Sequence, residues 1–280
     1  MDTIDMHVHS TASDGTFTPT EVANLALDAG LKAFALTDHD TTNGINEVMS
    51  LSLPIEIIPG IELSAGFGKG DIHILGYYIN PECKELKEAV KFMVDERIWR
   101  NEKMARNLNE AGIDITVDKL YDGDPDKVLT RAHFAGYLVD NGYVKDKAEA
   151  FKKYLGEDTP YYVLRQYLSP EECIELILKA GGFPVLAHPF QYKLSMPDLT
   201  ALIERLKKAG LYGIEALYST YTRMEEDLAK SLAHRYNLKI TGGSDFHGTN
   251  KPDISIVSGT GNLSIPYELL APFKEDLKLS

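Results

Sequence analysis

Two patterns alternate along this chain. Short apolar runs, of the kind a strand buried on both faces shows, are separated by stretches in which apolar residues return every three or four positions, as on an amphipathic helix. The runs are Ile4-Asp5-Met6-His7-Val8-His9-Ser10, Ala33-Phe34-Ala35-Leu36-Thr37, a third from Ile55 to Leu63, and Asp71-Ile72-His73-Ile74-Leu75-Gly76-Tyr77. Later come Phe183-Pro184-Val185-Leu186-Ala187, Tyr212-Gly213-Ile214-Glu215-Ala216-Leu217 and Lys239-Ile240-Thr241-Gly242-Gly243. Thr18-Pro19-Thr20-Glu21 and Ser169-Pro170-Glu171-Glu172 are capping boxes with proline at the first helical position. The first leads a stripe of Val22, Leu25, Ala26 and Ala29 that Gly30 ends. Further helices are expected over about 197–209 and 223–236. Strands alternating with helices predict an α/β fold with a parallel sheet and right-handed crossovers. Polar residues follow nearly every strand rather than gathering at one switch point. That favours a seven-stranded β/α barrel over an open doubly wound sheet.

The rhythm breaks after the fourth run. From Lys84 to Gly112 the pattern is helical, with Leu86, Val90, Met93, Val94, Ile98, Met104 and Leu108 as the expected buried stripe. More helical stretches follow at about 131–141 and 145–154, and no strand signal returns until after 168. Residues 81–168 are therefore read as a helical insertion that caps the substrate, set into a barrel made from 1–80 and 169–280.

Composition narrows the classes. A chain of 280 residues has room for one large domain, or for one domain carrying another. With 29 Lys and Arg against 42 Asp and Glu, the net charge of −13 argues against a broad grip on duplex nucleic acid. A small phosphorylated substrate stays open, because divalent cations in a carboxylate-lined pocket reverse the local sign. Cys83 and Cys173 have no metal-binding or redox spacing, and read as two free thiols in a reducing compartment rather than as one disulfide. No apolar run approaches the roughly 20 residues of a membrane span. The opening Met-Asp-Thr-Ile-Asp lacks the basic and apolar regions of a signal peptide, so a cytoplasmic protein is expected.

The candidate chemistry begins with His7 and His9. Two apart on a strand, they face the same side, and paired neutral imidazoles suit zinc, iron or manganese. Asp14 follows the same strand, His39 follows the second, Glu62 lies in the third and His73 in the fourth; His188 follows the fifth, and Asp245 and His247 the seventh. Six of the chain's eight histidines thus fall at equivalent places in a repeating layout, which scatter over surface and core would not produce. These donors are too many for one ion, which usually takes four to six, and are reasonable for three with a bridging carboxylate. Asp38 and Asp40 are candidates to fix the second nitrogens of ligand histidines, or else cap the next helix. In the insertion, Thr130 can cap a helix whose first turn carries Arg131 and His133, a ready anion site; the plain alternative is a surface Arg and a packed His. Arg165 is a weaker candidate, and His234 reads as structural or exposed. There is no G-x-S-x-G elbow and no P-loop.

His7-Val8-His9 with Asp14, Thr37-Asp38-His39-Asp40, Pro59-Gly60-Ile61-Glu62, Ala187-His188-Pro189 and Gly243-Ser244-Asp245-Phe246-His247 together resemble the PHP (polymerase and histidinol phosphatase) family, over essentially the whole chain. The insertion is similar to that of the tryptophan-operon-associated branch, which includes nucleotide phosphatases and a 5′-to-3′ exoribonuclease and carries a Thr-Arg-x-His motif. The acidic Glu157-Asp158 pair departs from the basic residue expected there. The resemblance implies a distorted seven-stranded (β/α)7 barrel holding three divalent ions: manganese, iron or zinc. It implies one ion bound by His7, His9, Glu62 and Asp245, a second by Glu62, His73 and His188, and a third by Asp14, His39 and His247. The expected activity is metal-dependent hydrolysis of a phosphate ester by an activated water, with Asp245 as proton acceptor. The expected substrate is a nucleoside 3′,5′-bisphosphate or a short 5′-phosphorylated RNA. The alternatives are a histidinol-phosphate phosphatase, a non-catalytic binding module and, more weakly, a metal-dependent amidohydrolase.

Overall fold

The computed structural model describes residues 2–68, 70–123 and 128–278. Its strands are β1 (Thr3–Val8), β2 (Ala33–Leu36), β3 (Glu56–Phe67), β4 (Gly70–Tyr77), β5 (Phe183–Leu186), β6 (Gly213–Tyr218), β7 (Lys239–Gly243) and β8 (Ile265–Pro266). The helices are α1 (Pro19–Asp28), α2 (Asn43–Met49), α3 (Lys84–Glu110), α4 (Val117–Tyr121), α5 (Arg131–Asp140), α6 (Lys147–Ala150), α7 (Pro170–Lys179), α8 (Met196–Ala209), α9 (Arg223–Arg235) and α10 (Ala271–Leu277). Both expected capping boxes form, at Thr18 with Glu21 and at Ser169 with Glu172.

The strands make one sheet in the order β7-β6-β5-β4-β3-β2-β1-β8. It is mixed, and here the structure corrects the expected parallel (β/α)7 arrangement. β3 pairs antiparallel with β4, β4 with β5, and β1 with β8. β3 runs on past Glu62 through Phe67, and β4 begins at Gly70. So short a link admits only a hairpin, since a parallel crossover needs about a dozen residues or more. The sheet nearly closes on itself where the chain leaves β7. The Asp245 amide donates to the His7 carbonyl at 2.8 Å, and the His9 amide to the Phe246 carbonyl at 3.0 Å. A Cβ at Gly243 would lie 2.1 Å from that of His7. No side chain fits there, and the seam depends on glycine.

The long helix α3 links two cores. Leu86 and Met93 pack with Ile61, Leu63, Ile72, Ile74, Ile174 and Ile177 of the barrel. Met104 and Leu108 pack instead with Ile113, Leu120, Phe134 and Leu138 of the insertion. Between these ends the buried positions are Arg97, Arg100 and Asn101, whereas Ile98, expected on the buried stripe, is exposed. The stripe therefore runs through arginines, because the face between the two cores is polar. Cys83 and Cys173 are both free thiols. Among the described residues no helix is long and apolar enough to cross a membrane.

Candidate active site

Glu62 is the hub. It is fully buried in β3, and five imidazoles from four different segments surround its carboxylate. Oε1 lies 2.9 Å from His73 Nδ1 and 3.0 Å from His188 Nε2. Oε2 lies 3.2 Å from Nε2 of both His7 and His9, and 3.0 Å from His39 Nδ1. Asp245 Oδ1 stands 3.6 Å from His7 Nε2 and 3.4 Å from His9 Nε2. On the other flank, Asp14 Oδ1 is 3.1 Å from His247 Nε2 and 3.9 Å from His39 Nε2. The structure thus brings together His7, His9, Asp14, His39, Glu62, His73, His188, Asp245 and His247 in one cluster. His234 lies on the exposed side of α9, away from it.

The backbone is bent to achieve this. His188 and Asp245 both sit at positive φ, 24° and 57°, and His188 does so directly before Pro189, where an extended backbone is the rule. Such residues each cost on the order of 1–3 kcal/mol. That strain falls on two residues that turn from strand end into the cluster.

Ring orientation comes from partners the sequence did not reveal. His7 Nδ1 faces Glu215 Oε1 at 3.0 Å, and the other Glu215 oxygen accepts the His188 amide at 2.8 Å. A carboxylate only accepts, so His7 carries its proton on Nδ1 and aims the Nε2 lone pair inward. His247 Nδ1 is fixed in the same way by the Asp245 carbonyl at 2.9 Å. The expected partners Asp38 and Asp40 do neither this nor cap α2. Asp38 accepts from the Ser10 amide and hydroxyl and the Ser13 hydroxyl, at 2.8, 2.7 and 2.6 Å, so it shapes the turn after β1. Asp40 accepts from the Ser64 amide at 2.7 Å and pairs with Arg97 and Arg165. The second oxygen of Asp245 accepts from the Tyr218 hydroxyl and the Lys251 ammonium, each at 2.6 Å.

The electrostatics fit a cation site. Burial disfavours a charged imidazole at His7, but Glu62, then Glu215 and Asp245, outweigh it and hold the ring well above its ordinary value, so that without a cation Nε2 takes up a proton that a bound metal would displace. His39 is lowered by burial and raised more by Glu62 and Asp14, to about 9. Burial and the neighbouring His9 push His247 down to about 4. The carboxyls of Asp14, Glu62 and Asp245 all stay well below the usual range, because nearby cationic groups overcome the cost of burial. Meanwhile Nε2 of His7 and His9, Oδ1 of Asp14, Nδ1 of His39 and Oε2 of Glu62 are buried without a hydrogen bond. They lie within ion-pair distance of one another without a hydrogen bond. Buried polar atoms are seldom left so, and a divalent cation is what nitrogen and carboxylate donors in such an arrangement satisfy. Three overlapping groups could hold one: His7, His9 and Glu62; His39, Glu62 and His73; and His9, Asp14, His39 and His247.

A cavity of about 210 Å³ opens beside the cluster, sharing Asp14, His39 and His73 with it. Its far wall is the insertion: Arg97 and Arg100 from α3, Thr130 and Arg131 at the start of α5, and Arg165 with Tyr167 on the return to the barrel. Arg165 stacks 4.4 Å over the Tyr167 ring and bonds Asp40 at 3.2 Å. Arg131 lies 5.7 Å over Tyr162 and 3.9 Å from Asp71. Arg100 is buried, and among the described residues no carboxylate pairs with it. Burial, with Arg97, Arg165 and Arg131 nearby, disfavours its charge and lowers it to about 9. A guanidinium keeps its proton even so. Among the described residues its positive charge is left without a paired carboxylate. Arg97 and Arg100 were missed because they stand among apolar helix positions, and that placement was the available signal. His133 does not reach this cavity: its ring closes a capping box with Thr130, accepting the Thr130 amide at 3.0 Å, and it lines a separate depression near Lys119 and Lys147.

With that geometry in place, the family profile of the PHP domain matches residues 5–215. The chain belongs to the PHP domain family. A 3′,5′-nucleoside bisphosphate phosphatase of Chromobacterium violaceum is 36% identical over 256 residues, covering 88% of each chain. A 5′-3′ exoribonuclease of Haemophilus influenzae is 34% identical, covering 87% of this chain and 89% of its own. A solved structure described as an amidohydrolase of Chromobacterium violaceum, with bound sulfate and no metal, superposes with a TM-score of 0.87 at 33% identity, over 99% of this chain and 96% of that one. Together with the buried cluster, this makes the PHP protein a metal-dependent hydrolase.

Proposed function

We propose that this PHP protein hydrolyses one phosphate ester of a small nucleotide at the metal cluster while the arginine cavity holds a second phosphate. A nucleoside 3′,5′-bisphosphate is the substrate that fits. The observation that carries the reading is Arg100, a buried guanidinium with no carboxylate partner among the described residues, in a cavity whose other wall is His39, His73 and Asp14. The volume supports an anionic group rather than a whole nucleotide there, since pockets for drug-sized ligands run to roughly 300–1,000 Å³. The bisphosphate phosphatase from Chromobacterium violaceum, named for such a substrate, supports it too.

His7, His9, Glu62 and Asp245, with Glu62, His73 and His188, and Asp14, His39 and His247, would hold up to three divalent ions of the manganese, iron or zinc type. Bound there, such ions polarise phosphoryl oxygens and make water a competent nucleophile near neutral pH. The chain's own groups do the rest. Glu215 keeps His7 and the His188 turn in place. Arg100 and Arg131 orient the substrate by its distal phosphate, and the insertion shields that end from water.

A short 5′-phosphorylated RNA is the second reading, favoured by the depression that lies across Ala132 from the cavity and carries Lys119, His133 and Lys147. Histidinol phosphate suits the cavity poorly, because its end remote from phosphate is cationic and would face Arg97, Arg100, Arg131 and Arg165. The test is phosphate release, with manganese or zinc, from a panel of 3′,5′-bisphosphates, nucleoside monophosphates, 5′-phosphorylated oligoribonucleotides and histidinol phosphate. Bisphosphates should lead, and Arg131→Ala should raise KM for them without changing metal content. Preference for histidinol phosphate, or for monophosphates over bisphosphates, would sink the proposal.

A further inference from the structure

The loop after β7 does more than close the barrel. It is fastened to the turn after β1 at Asp14 and at Thr16: the Asn250 side chain donates to the Asp14 carbonyl at 2.8 Å, and the Thr249 amide to the Thr16 hydroxyl at 2.9 Å. Farther on, the Val257 amide donates to Asp5 Oδ2 at 3.0 Å, with Val257 held at a φ of 75°, costly for a β-branched residue. Lys251 lies between these fastenings. Its ammonium reaches in to Asp245 Oδ2, while 37% of the side chain stays exposed. The Tyr218 hydroxyl meets the same oxygen from the end of β6, and its ring rests against His188 at 5.5 Å.

Two donors on one oxygen define its use. A carboxylate oxygen has about two lone-pair sites, and Tyr218 and Lys251 occupy those of Oδ2. Oδ1 is left facing His7, His9 and His247, at 3.6, 3.4 and 3.3 Å. We propose that Tyr218 and Lys251 are positioning residues that clamp Asp245 as a one-oxygen metal ligand. On this proposal Oδ2 is spent on the clamp, and Oδ1 alone is left to serve a metal and any water beside it. The clamp also brings one positive charge to a cluster rich in carboxylates, from a loop that the fastenings to Asp14, Thr16 and Asp5 hold in register. This proposal rests on the reading of Asp245 as a metal ligand.

The test is calorimetric titration of manganese or zinc into the full chain stripped with a chelator. Tyr218→Phe keeps the ring against His188 and loses only the hydroxyl; Lys251→Met keeps the stem and loses the charge. Each should weaken metal binding about tenfold and the pair about a hundredfold. Lys251→Arg should restore most of the loss. Asp245→Asn is the reference and should weaken binding at least as much as the pair. If Asp245→Asn weakens binding and the double variant does not, the clamp is refuted while the ligand reading survives. Unchanged binding in Asp245→Asn overturns the ligand reading and the clamp with it. Failure of Lys251→Arg to recover any affinity overturns the assignment to Lys251.

Discussion

The metal cluster and the arginine cavity are adjoining polar sites with opposite demands. The cluster gathers lone pairs from strand ends of the barrel and calls for cations. The cavity gathers guanidiniums from the insertion and calls for an anion. They share His39, His73 and Asp14 as a common wall. In the cluster most members have a fixed partner, through Glu62, Glu215 or a backbone carbonyl. In the cavity the arginines are placed by Asp40, by Asp71 and by aromatic faces, and Arg100 is left over. On the function proposed above, the difference is a division of labour: the barrel carries the chemistry, and the insertion carries the choice of substrate.

The hardest blow to that division is Glu62→Ala. Removing the carboxylate shared by five imidazoles should release metal and lower kcat on the order of a thousandfold or more, as chelation of the wild type should; metal analysis beside phosphate release checks both. A variant that kept full metal content would deny Glu62 its place as hub.

Next comes Asp40→Asn, which leaves Arg97 and Arg165 buried without their carboxylate and should cost about 3–5 kcal/mol in denaturant unfolding. Burial pushes the Asp40 carboxyl up, but Arg97 and then Arg165 hold it below its ordinary 3.8. A lowered value means the contribution is whole above about pH 5 and is lost as pH falls through the folded value. The gap between wild type and variant should therefore stay constant at neutral pH and shrink only in acid. A gap that shrank above pH 6 would point to some other group.

Arg100 divides the two sites most sharply. Arg100→Met should reduce kcat/KM for a bisphosphate roughly ten- to a hundredfold and leave a substrate without the second phosphate nearly untouched. In phosphate-free buffer the same change should stabilise the fold by about 1 kcal/mol or more, raising Tm about 2–4 °C. A drop in Tm would show that the guanidinium already has its counter-charge. The mildest expected change is Glu215→Gln, which keeps the shape but sets an NH2 donor against either the His7 Nδ1 proton or the His188 amide, and should weaken metal binding about tenfold; an unchanged affinity would make Glu215 a packing residue only.

Much of this was legible along the chain, and what was not has physical reasons. The histidines stood out because a strand places alternate residues on one face and the strand ends repeat. The antiparallel β3–β4 turn did not, because alternation reports burial and not direction; Gly66-Phe67-Gly68-Lys69-Gly70 was the hairpin signal that could have been used. β8, two residues long, has no pattern of its own. Glu215 sat inside the apolar run Ile214-Glu215-Ala216, and a charge in a run buried on both faces was itself a sign of a partner. Arg97 and Arg100 were masked by Ile98 and Trp99, exposed residues that made the wrong side of α3 look apolar. Tyr218 and Lys251 could not be read at all, since their meeting at Asp245 depends on the closure of the barrel.

One consequence of α3 remains. Its 27 residues are rooted at one end in the barrel and at the other in the insertion, and a helix advances about 1.5 Å per residue with little give. Arg97 and Arg100 are marks on that rod, one turn apart, midway between two anchorages. The insertion is then a jig more than a hinged lid. On the function proposed above, the span from the reacting phosphorus to the anchored anion would be gauged by a rigid rule, and molecules whose two phosphates are spaced otherwise would be refused.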